Sequence, residues 1–535
     1  MKKTVIIFIS MFTAIWANAQ TVQDALLFSS HDHEGSARTM AMGNAFTALG
    51  GDLGGVSINP AGSAVAKYSQ FTITPALSIS TNTTLGVSPY EDGSLPYFER
   101  QMKSRKTGFG LPNSGLSFNW DTHRRSGLKN MSFGFIINRT ASWGNDIYAQ
   151  GTNSTTSFMG EMAYDATVNG YLGKELGGGN AYDNMPWKPV TGYQSGMIST
   201  YGGHDDQFVG ASEVIFDNGE IAVGGPLEQT FGSLETGSKY EYIFNVAANI
   251  SDMIYIGANF GITSMEYNYD QYFIEQAVDP ADFEIALDNG DKMYFNDMLY
   301  QYSYSANGTG YYAKLGAILT PVSWLRIGAA IQTPTITDIS EAWSEYGETR
   351  YDNSDYDAYV ESPEGRNSYS MTSPFRANLG IALTLGSLGA LSADYEYCDY
   401  GQMKYVATGA DRSYFESVNA DIRDTMGAVH AFRLGAEVKP LSGLAVRAGY
   451  GASNSAATYD DSLTHNLSLG LGYSSKGSFF TDFAIRRTFL GKEYFMPYAD
   501  YIFNNDGSVN ENAYAPEIEN SRKLWKVLLT FGWRF

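Results

Sequence analysis

Few side chains in this sequence could do chemistry, and they do not form a catalytic set. His31-Asp32-His33-Glu34 places two imidazoles and two carboxylates in four residues, donor types that ligate divalent metals. Neighbours in a short polar stretch rarely converge on one ion, so no metal is assigned to them. Asp352, Asp355, Asp357 and Glu361 offer oxygen ligands for calcium but lack the spaced Gly and Glu of an EF-hand loop, and they read as a solvated acidic loop. Gly177-Gly178-Gly179 lacks the Lys-Ser/Thr of a phosphate loop. There is no G-x-S-x-G element, and the 6 histidines have no triad setting, so no catalytic residue, cofactor or enzymatic role is expected. What remains is a set of cations read as facing inward: Arg139 near one rim, then Lys314, Arg326, Arg376, Arg433, Arg447 and Arg486, these six on the parity opposite to the apolar residues around them. A guanidinium grips a carboxylate with two parallel hydrogen bonds, so Arg326 and Arg376 are candidate contacts for a ligand carboxylate. The competing reading is internal pairing with Asp394, Glu396, Glu437 and Asp482, which share that side.

The elements that carry these residues read as strands. In Trp525–Phe535, Trp525, Val527, Leu529, Phe531, Trp533 and Phe535 share one parity, while Lys526, Thr530 and Arg534 lie on the other. A segment of about 9–11 residues with one apolar face and aromatic ends suits a tilted transmembrane β-strand. Similar patterns recur upstream: Phe71/Ile73/Leu77/Ile79, Leu116/Phe118/Trp120, Met131/Phe133/Phe135/Ile137, and so on through Phe479/Phe483/Ile485. About fourteen such strands are expected, an even number as a closed single-chain barrel requires. Pro75 in the first strand requires an unpaired or bulged position there. Asn307-Gly308 is a hairpin signal, but splitting the strand there would break the alternation, so Phe295 to Leu319 is kept as one strand. Short connections near 122–128, 251–252, 320–323, 386–387, 439–442 and 475–477 alternate with long ones, the largest over 140–238. That alternation matches short periplasmic turns and long extracellular loops.

Lys2 and Lys3, the apolar run from Val5 to Phe12 and Ala17-Asn18-Ala19 make residues 1–19 a secretory signal peptide. Residues 20–68 do not alternate and are expected to plug the bore, and 69–535 form the barrel. The net charge of −22 excludes nucleic acid as a partner and is assigned to solvated outer loops. The single cysteine, Cys398, excludes an intrachain disulfide and a Cys-based metal site. The expected class is all-β, a 14-stranded antiparallel transmembrane barrel with an N-terminal hatch, monomeric in a Gram-negative outer membrane.

Within the plug lies ARTMAMGNAFTALGGDLGGVSINPAG, residues 37–62, whose glycines allow tight turns and whose Asn59-Pro60 sets a local turn. With LRIGAAIQTP at 325–334, LSADYEYCDYGQMKY at 391–405, FRLGAEVKPLSGLAVRAGYG at 432–451 and the closing strand, the chain resembles the FadL/TodX family of outer-membrane transporters for hydrophobic compounds, and in particular its Bacteroidetes branch. The resemblance implies a hatch in which Asn59, Pro60, Ala61 and Gly62 form the matching element. It also implies a loop groove for capture, an interior pocket and an inward kink in the third strand, for which Gly134 is the candidate. The long loops supply apolar material for such a groove: Phe158 and Met162 in a helical stretch, and Phe283 and Leu287 in a helix expected to start at Asp279-Pro280. The implied function is passive, ligand-gated uptake of hydrophobic compounds such as long-chain fatty acids, with outer-membrane lipid and lipopolysaccharide as surroundings. The alternative is a FadL-like barrel that docks other proteins in an outer-membrane secretion complex.

Overall fold

The computed structural model describes residues 20–90, 92–216, 219–287, 290–407, 412–475, 477–504 and 507–535. The leader expected over residues 1–19 lies outside them. Fourteen antiparallel barrel strands follow one another in chain order. They are β1 Gln70–Gly86, β2 Met102–Asp121, β3 Leu128–Asn153, β4 Leu227–Ile250, β5 Ile254–Ala277 and β6 Lys292–Val322. β7 comes in two segments, Leu325–Gln332 and Ile336–Tyr351, and β8 likewise, Gly365–Thr372 and Arg376–Thr384. β9 Gly389–Asp399, β10 Ala428–Leu441, β11 Leu444–Asn454, β12 Leu463–Ser474, β13 Phe479–Phe489 and β14 Ile518–Arg534 complete the wall. β14 pairs with β13 and with β1, Phe71 opposite Trp533 and Ile79 opposite Trp525, so the sheet closes on itself. Closure removes the edge that lipid could not hydrogen-bond.

Several irregularities fall on proline. Pro75 sits at a register shift where β2 places Leu111 and Pro112 against it, so two residues oppose one and the bulge absorbs both missing donors. Pro334 and Pro374 interrupt β7 and β8 side by side, and the Ser373 N–H closes the break on the Thr335 carbonyl. Asn307 and Gly308 remain inside β6, paired with Glu266 and Met265 on one side and Ser340 and Ile339 on the other.

β6 has 31 residues, far more than the roughly 9–11 that span lipid, so β3 to β7 rise well past the membrane as a collar. This extension shortens the largest loop, expected over 140–238, to 154–226. One parity of the wall is apolar and bare: Phe118, Phe244, Leu315, Leu379, Leu434 and Leu469 are among the large hydrophobic side chains left exposed. Such a continuous surface suits lipid and not water. Trp120, Trp324, Tyr473 and Trp533 ring its short-turn end. Among the described residues no helix is long and apolar enough to cross a membrane. The chain is an outer-membrane β-barrel.

Leu469, 54% exposed in the middle of β12, tests this belt. Leu469→Arg is expected to lower unfolding stability in lipid vesicles by about 2–4 kcal/mol, against about 0–1 kcal/mol for Leu388→Arg in a short turn, both read by urea titration.

Candidate functional site

The segment before β1 lies in the bore. It forms helices α1, Val22–Ser29, and α2, Ala37–Ala41, then two 3-10 turns, Leu53–Gly55 and Pro60–Val65. Its backbone meets the wall all the way round. The Ala37 N–H donates to Thr530 Oγ1 on β14 (2.8 Å), the Thr47 N–H to Asp394 on β9 (2.6 Å), and Asn259 on β5 to the Val56 carbonyl (2.9 Å). Asn59 is the central tie. Its Oδ1 accepts the Ala61 N–H (3.0 Å), while Nδ2 donates to the carbonyls of Thr47 (2.7 Å), Ala317 (3.1 Å) and Ala329 (3.4 Å). Pro60 follows at the first position of its 3-10 turn, where a missing N–H costs nothing. Ala61 is fully buried against the wall, and Gly62 packs on Gly50 and accepts the Gly51 N–H (2.8 Å). The wall makes room with glycine: a Cβ on Gly316 would overlap Asn59, and one on Gly328 would overlap the Thr47 carbonyl.

Above this tie runs a belt of ion pairs, most of them buried. Glu34 joins Arg139 of β3 (2.7 Å) and Lys526 of β14 (2.5 Å). Asp32 joins Lys526 (3.0 Å) and Arg486 of β13. Arg38 meets Glu437 (3.0 Å), which also holds Arg447 (2.7 Å). His31 and His33 touch each other (3.1 Å) and reach opposite walls, His31 at Glu241 (3.4 Å) and His33 at Glu396 (3.1 Å). The two arginines singled out as ligand contacts are part of this scaffold. Arg326 donates to the Leu49 carbonyl, and Arg376 to the Ser29 carbonyl (3.0 Å), the Tyr400 hydroxyl (3.1 Å) and Glu396 (3.3 Å).

Next comes an aromatic chamber filled by α1. Thr21 caps α1 reciprocally with Asp24, the Thr21 N–H meeting Asp24 Oδ2 (2.9 Å) and the Asp24 N–H meeting Thr21 Oγ1 (3.2 Å). Ala25 and Phe28 then pack among Tyr267, Tyr304, Tyr369, Met371 and Tyr405, with Phe415 and Ile422 of a loop helix, Arg412–Thr425, above them. The carbonyls that end α1 are held by cations: Lys239 takes those of Phe28 (2.8 Å) and Ser30 (2.6 Å).

The wall parts beside this chamber. β2 and β3 pair only from Asn113 opposite Asn138 down to Asp121 opposite Asn130. Above that, β2 stays on β1 as far as Met102, and β3 stays on β4 as far as Asn153. β3 gains an extra residue, Thr140, between Arg139 and Ala141, and leans inward behind β2. Its freed carbonyls are met by side chains: Asp146 by Asn82 (2.7 Å) and Ser104, Tyr148 by Thr84 (2.6 Å), and Gly144 by Arg522 (3.2 Å). Trp143 on the bent stretch stands against Tyr267 of the chamber (5.3 Å between ring centres). The kink expected at Gly134 is thus displaced. Gly134 is regularly paired with Ser117 and Asn245, and the bend falls at Thr140, where the Arg139 guanidinium crosses the face of Gly110 toward Glu34.

The long loops close into a small domain with its own core. Phe158 and Met162 lie on α3, Phe158–Val168, as the apolar spacing suggests, but both are fully buried, as is Phe283. They pack with Phe273, Phe295, Tyr300 and Tyr498 instead of lining an open groove, because the aromatic ends of β5 and β6 rise into the same core. Asp279 caps only one 3-10 turn before the chain enters a hairpin, Glu284 to Ala286 paired with Tyr294 to Lys292, so the expected second helix is absent there. Leu287, just past that hairpin strand, is half-buried outside the core.

No family model matches this sequence, and no curated protein matches it. Among solved structures, the P. putida toluene transporter TodX is 12% identical over 94% of this chain and 99% of its own, with a TM-score of 0.51. A Pseudomonas aeruginosa FadL homologue is 11% identical over 95% and 98%, with a TM-score of 0.49. The Ralstonia pickettii toluene transporter TbuX is 12% identical over 94% and 99%, with a TM-score of 0.46. The TodX likeness shows a shared fold.

Burial pushes the Glu213 carboxyl of the loop domain up to about 7, against the pull of the Gly210 N–H and with the Glu275 carboxylate adding to the rise. An acid raised in the folded state weakens the fold as pH climbs. Limited proteolysis of the loop domain should therefore quicken from pH 5 to pH 8, and Glu213→Gln should flatten that dependence.

Proposed function

We propose that this barrel is a FadL-type channel for passive, ligand-gated uptake of hydrophobic compounds, with long-chain fatty acids as the default cargo. The observation that carries it is the parting of β2 from β3 beside an aromatic chamber that the hatch floors and the loop domain roofs. A greasy molecule gains nothing from a wet axial pore. A side opening at lipid height lets it pass from chamber to bilayer without meeting water. Movement is down a gradient, so neither a nucleotide site nor a catalytic group is required.

The gate is α1. It fills the chamber with Ala25 and Phe28, and its last carbonyls occupy Lys239 and Arg376. A ligand carboxylate entering the chamber competes for these two cations, to which it binds more strongly than a neutral carbonyl does. The acyl chain meanwhile replaces the apolar contacts of α1 among the tyrosines. Arg376 is the first contact proposed for that carboxylate, since Tyr400 beside it lines the chamber, and Arg326 of β7, which holds the Leu49 carbonyl of the hatch, is the second. The buried Phe158, Met162 and Phe283 core carries capture only once the loop domain opens, with Leu287 at its margin.

Two variants test the path. Asn59→Ala removes two donated hydrogen bonds between hatch and wall and one within the hatch, about 1–3 kcal/mol with the carbonyls left unmet, and is expected to cut uptake while the barrel still assembles. Deleting Thr140 restores a regular β3–β4 ladder, and uptake of a fluorescent fatty acid by cells should fall to background with the barrel still in the membrane. Uptake unchanged in both would remove hatch and side opening from the mechanism. Co-purification in mild detergent separates the docking reading, which requires a stoichiometric protein partner in place of a bound lipid-like molecule.

A further inference from the structure

The lipid-facing wall carries one group of cations that the fold does not use. The outward parity of β14 runs from Trp533 through Leu529 to Trp525 and then reaches Lys523, the first charged residue above the belt. Thr81 of β1 pairs with Lys523 on one side and with Arg105 of β2 on the other, which sets the two cations about 10 Å apart, two strand spacings, across a hydroxyl. Lys103 stands one outward position above Arg105, opposite Thr83. Arg487 of β13 closes the group from below, its guanidinium over the rings of Phe489 (4.6 Å) and Trp525 (5.1 Å).

In a chain of net charge −22, most inward cations have an acidic partner. Lys103, Arg105 and Lys523 have none among the described residues, and all three are exposed. The next acid along β14, Glu519, is held by Lys492 (2.8 Å). The group lies on the long-loop side, just beyond the aromatic rings that mark the edge of the hydrocarbon. That is the height of the head groups of the outer leaflet.

We propose that Lys103, Arg105 and Lys523 form a binding site for the phosphate groups of an outer-leaflet glycolipid of the lipopolysaccharide class. The long side chains of Arg105 and Lys523 close on a phosphate from either side of Thr81, Lys103 contacts it from above, and the acyl chains lie along Trp525, Val527 and Leu529. The site needs only the membrane placement of this wall and is independent of the uptake reading.

The test is lipopolysaccharide retained by the detergent-purified barrel, counted by mass spectrometry. Lys103→Gln/Arg105→Gln/Lys523→Gln should retain about tenfold less than the unaltered chain. Lys67→Gln/Lys439→Gln, at the short-turn end, should retain the normal amount. Thr81→Glu, which sets a carboxylate between Arg105 and Lys523, should show the same loss in a barrel that still migrates as folded on unheated gels. Enzymatically dephosphorylated lipopolysaccharide should fail to rebind. Normal retention by the triple variant and by Thr81→Glu would overturn the site. So would equal displacement by millimolar inorganic phosphate, which would mark an adventitious anion only, or equal rebinding of phosphatidylglycerol.

Discussion

Lipid offers no hydrogen bonds, and this single constraint organises the wall. It requires β14 to return to β1, and it requires every departure from the ladder to find other partners. Pro75, Leu111 and Pro112 share one bulge, so the missing donors coincide instead of leaving two gaps. The same rule governs the bend in β3. The strand can leave β2 because Asn82, Thr84, Ser104 and Arg522 meet the carbonyls it exposes. An opening in the barrel is therefore a built element, held by polar side chains of β1, β2 and β14.

The hatch depends on a second balance. Burying this many charges is costly, and it is tolerated because each is paired, some across hatch and wall, as Glu34 with Arg139 and Lys526, and some within the wall, as Arg447 with Glu437 and Asp482. Breaking one pair leaves the other charge stranded, a cost of about 3–5 kcal/mol, so the hatch is specified in place even where the net gain is small. Glu34 links this belt to the bend, since the arginine it holds is the residue before Thr140. Lys239 and Arg376 link it to α1. Hatch, bend and chamber are mechanically one unit joined by those three cations.

Much of this was legible from residue order. A strand in lipid must show one apolar parity, so Trp525 to Phe535 and its thirteen counterparts declared themselves, and the alternation of short and long connections oriented them. Asn59-Pro60 marked a turn whose side chain bonds its own backbone, which the structure shows at Ala61. Above the membrane the signal fades, because both faces of β3 to β7 are wet or aromatic. The upper parts of β3, β4 and β7 were consequently read as loop, while the Tyr-rich runs of β5 and β6 were read as strand. Asp279-Pro280 has the sequence of a helix start, but pairing of Glu284 with Tyr294 overrode it.

The chain by itself therefore determined what short-range chemistry can determine: which residues face lipid, where the chain turns, and which segment cannot be a strand. Only the tertiary structure decided the location of the bend, the filling of the chamber by α1, and the partner of each buried cation. Those depend on which distant strands lie side by side. One extra residue at Thr140 turns the side chains beyond it to the other face, so Trp143, on the parity of Ile137, looks into the bore. No local pattern records that reversal, because it exists only relative to the neighbouring strand.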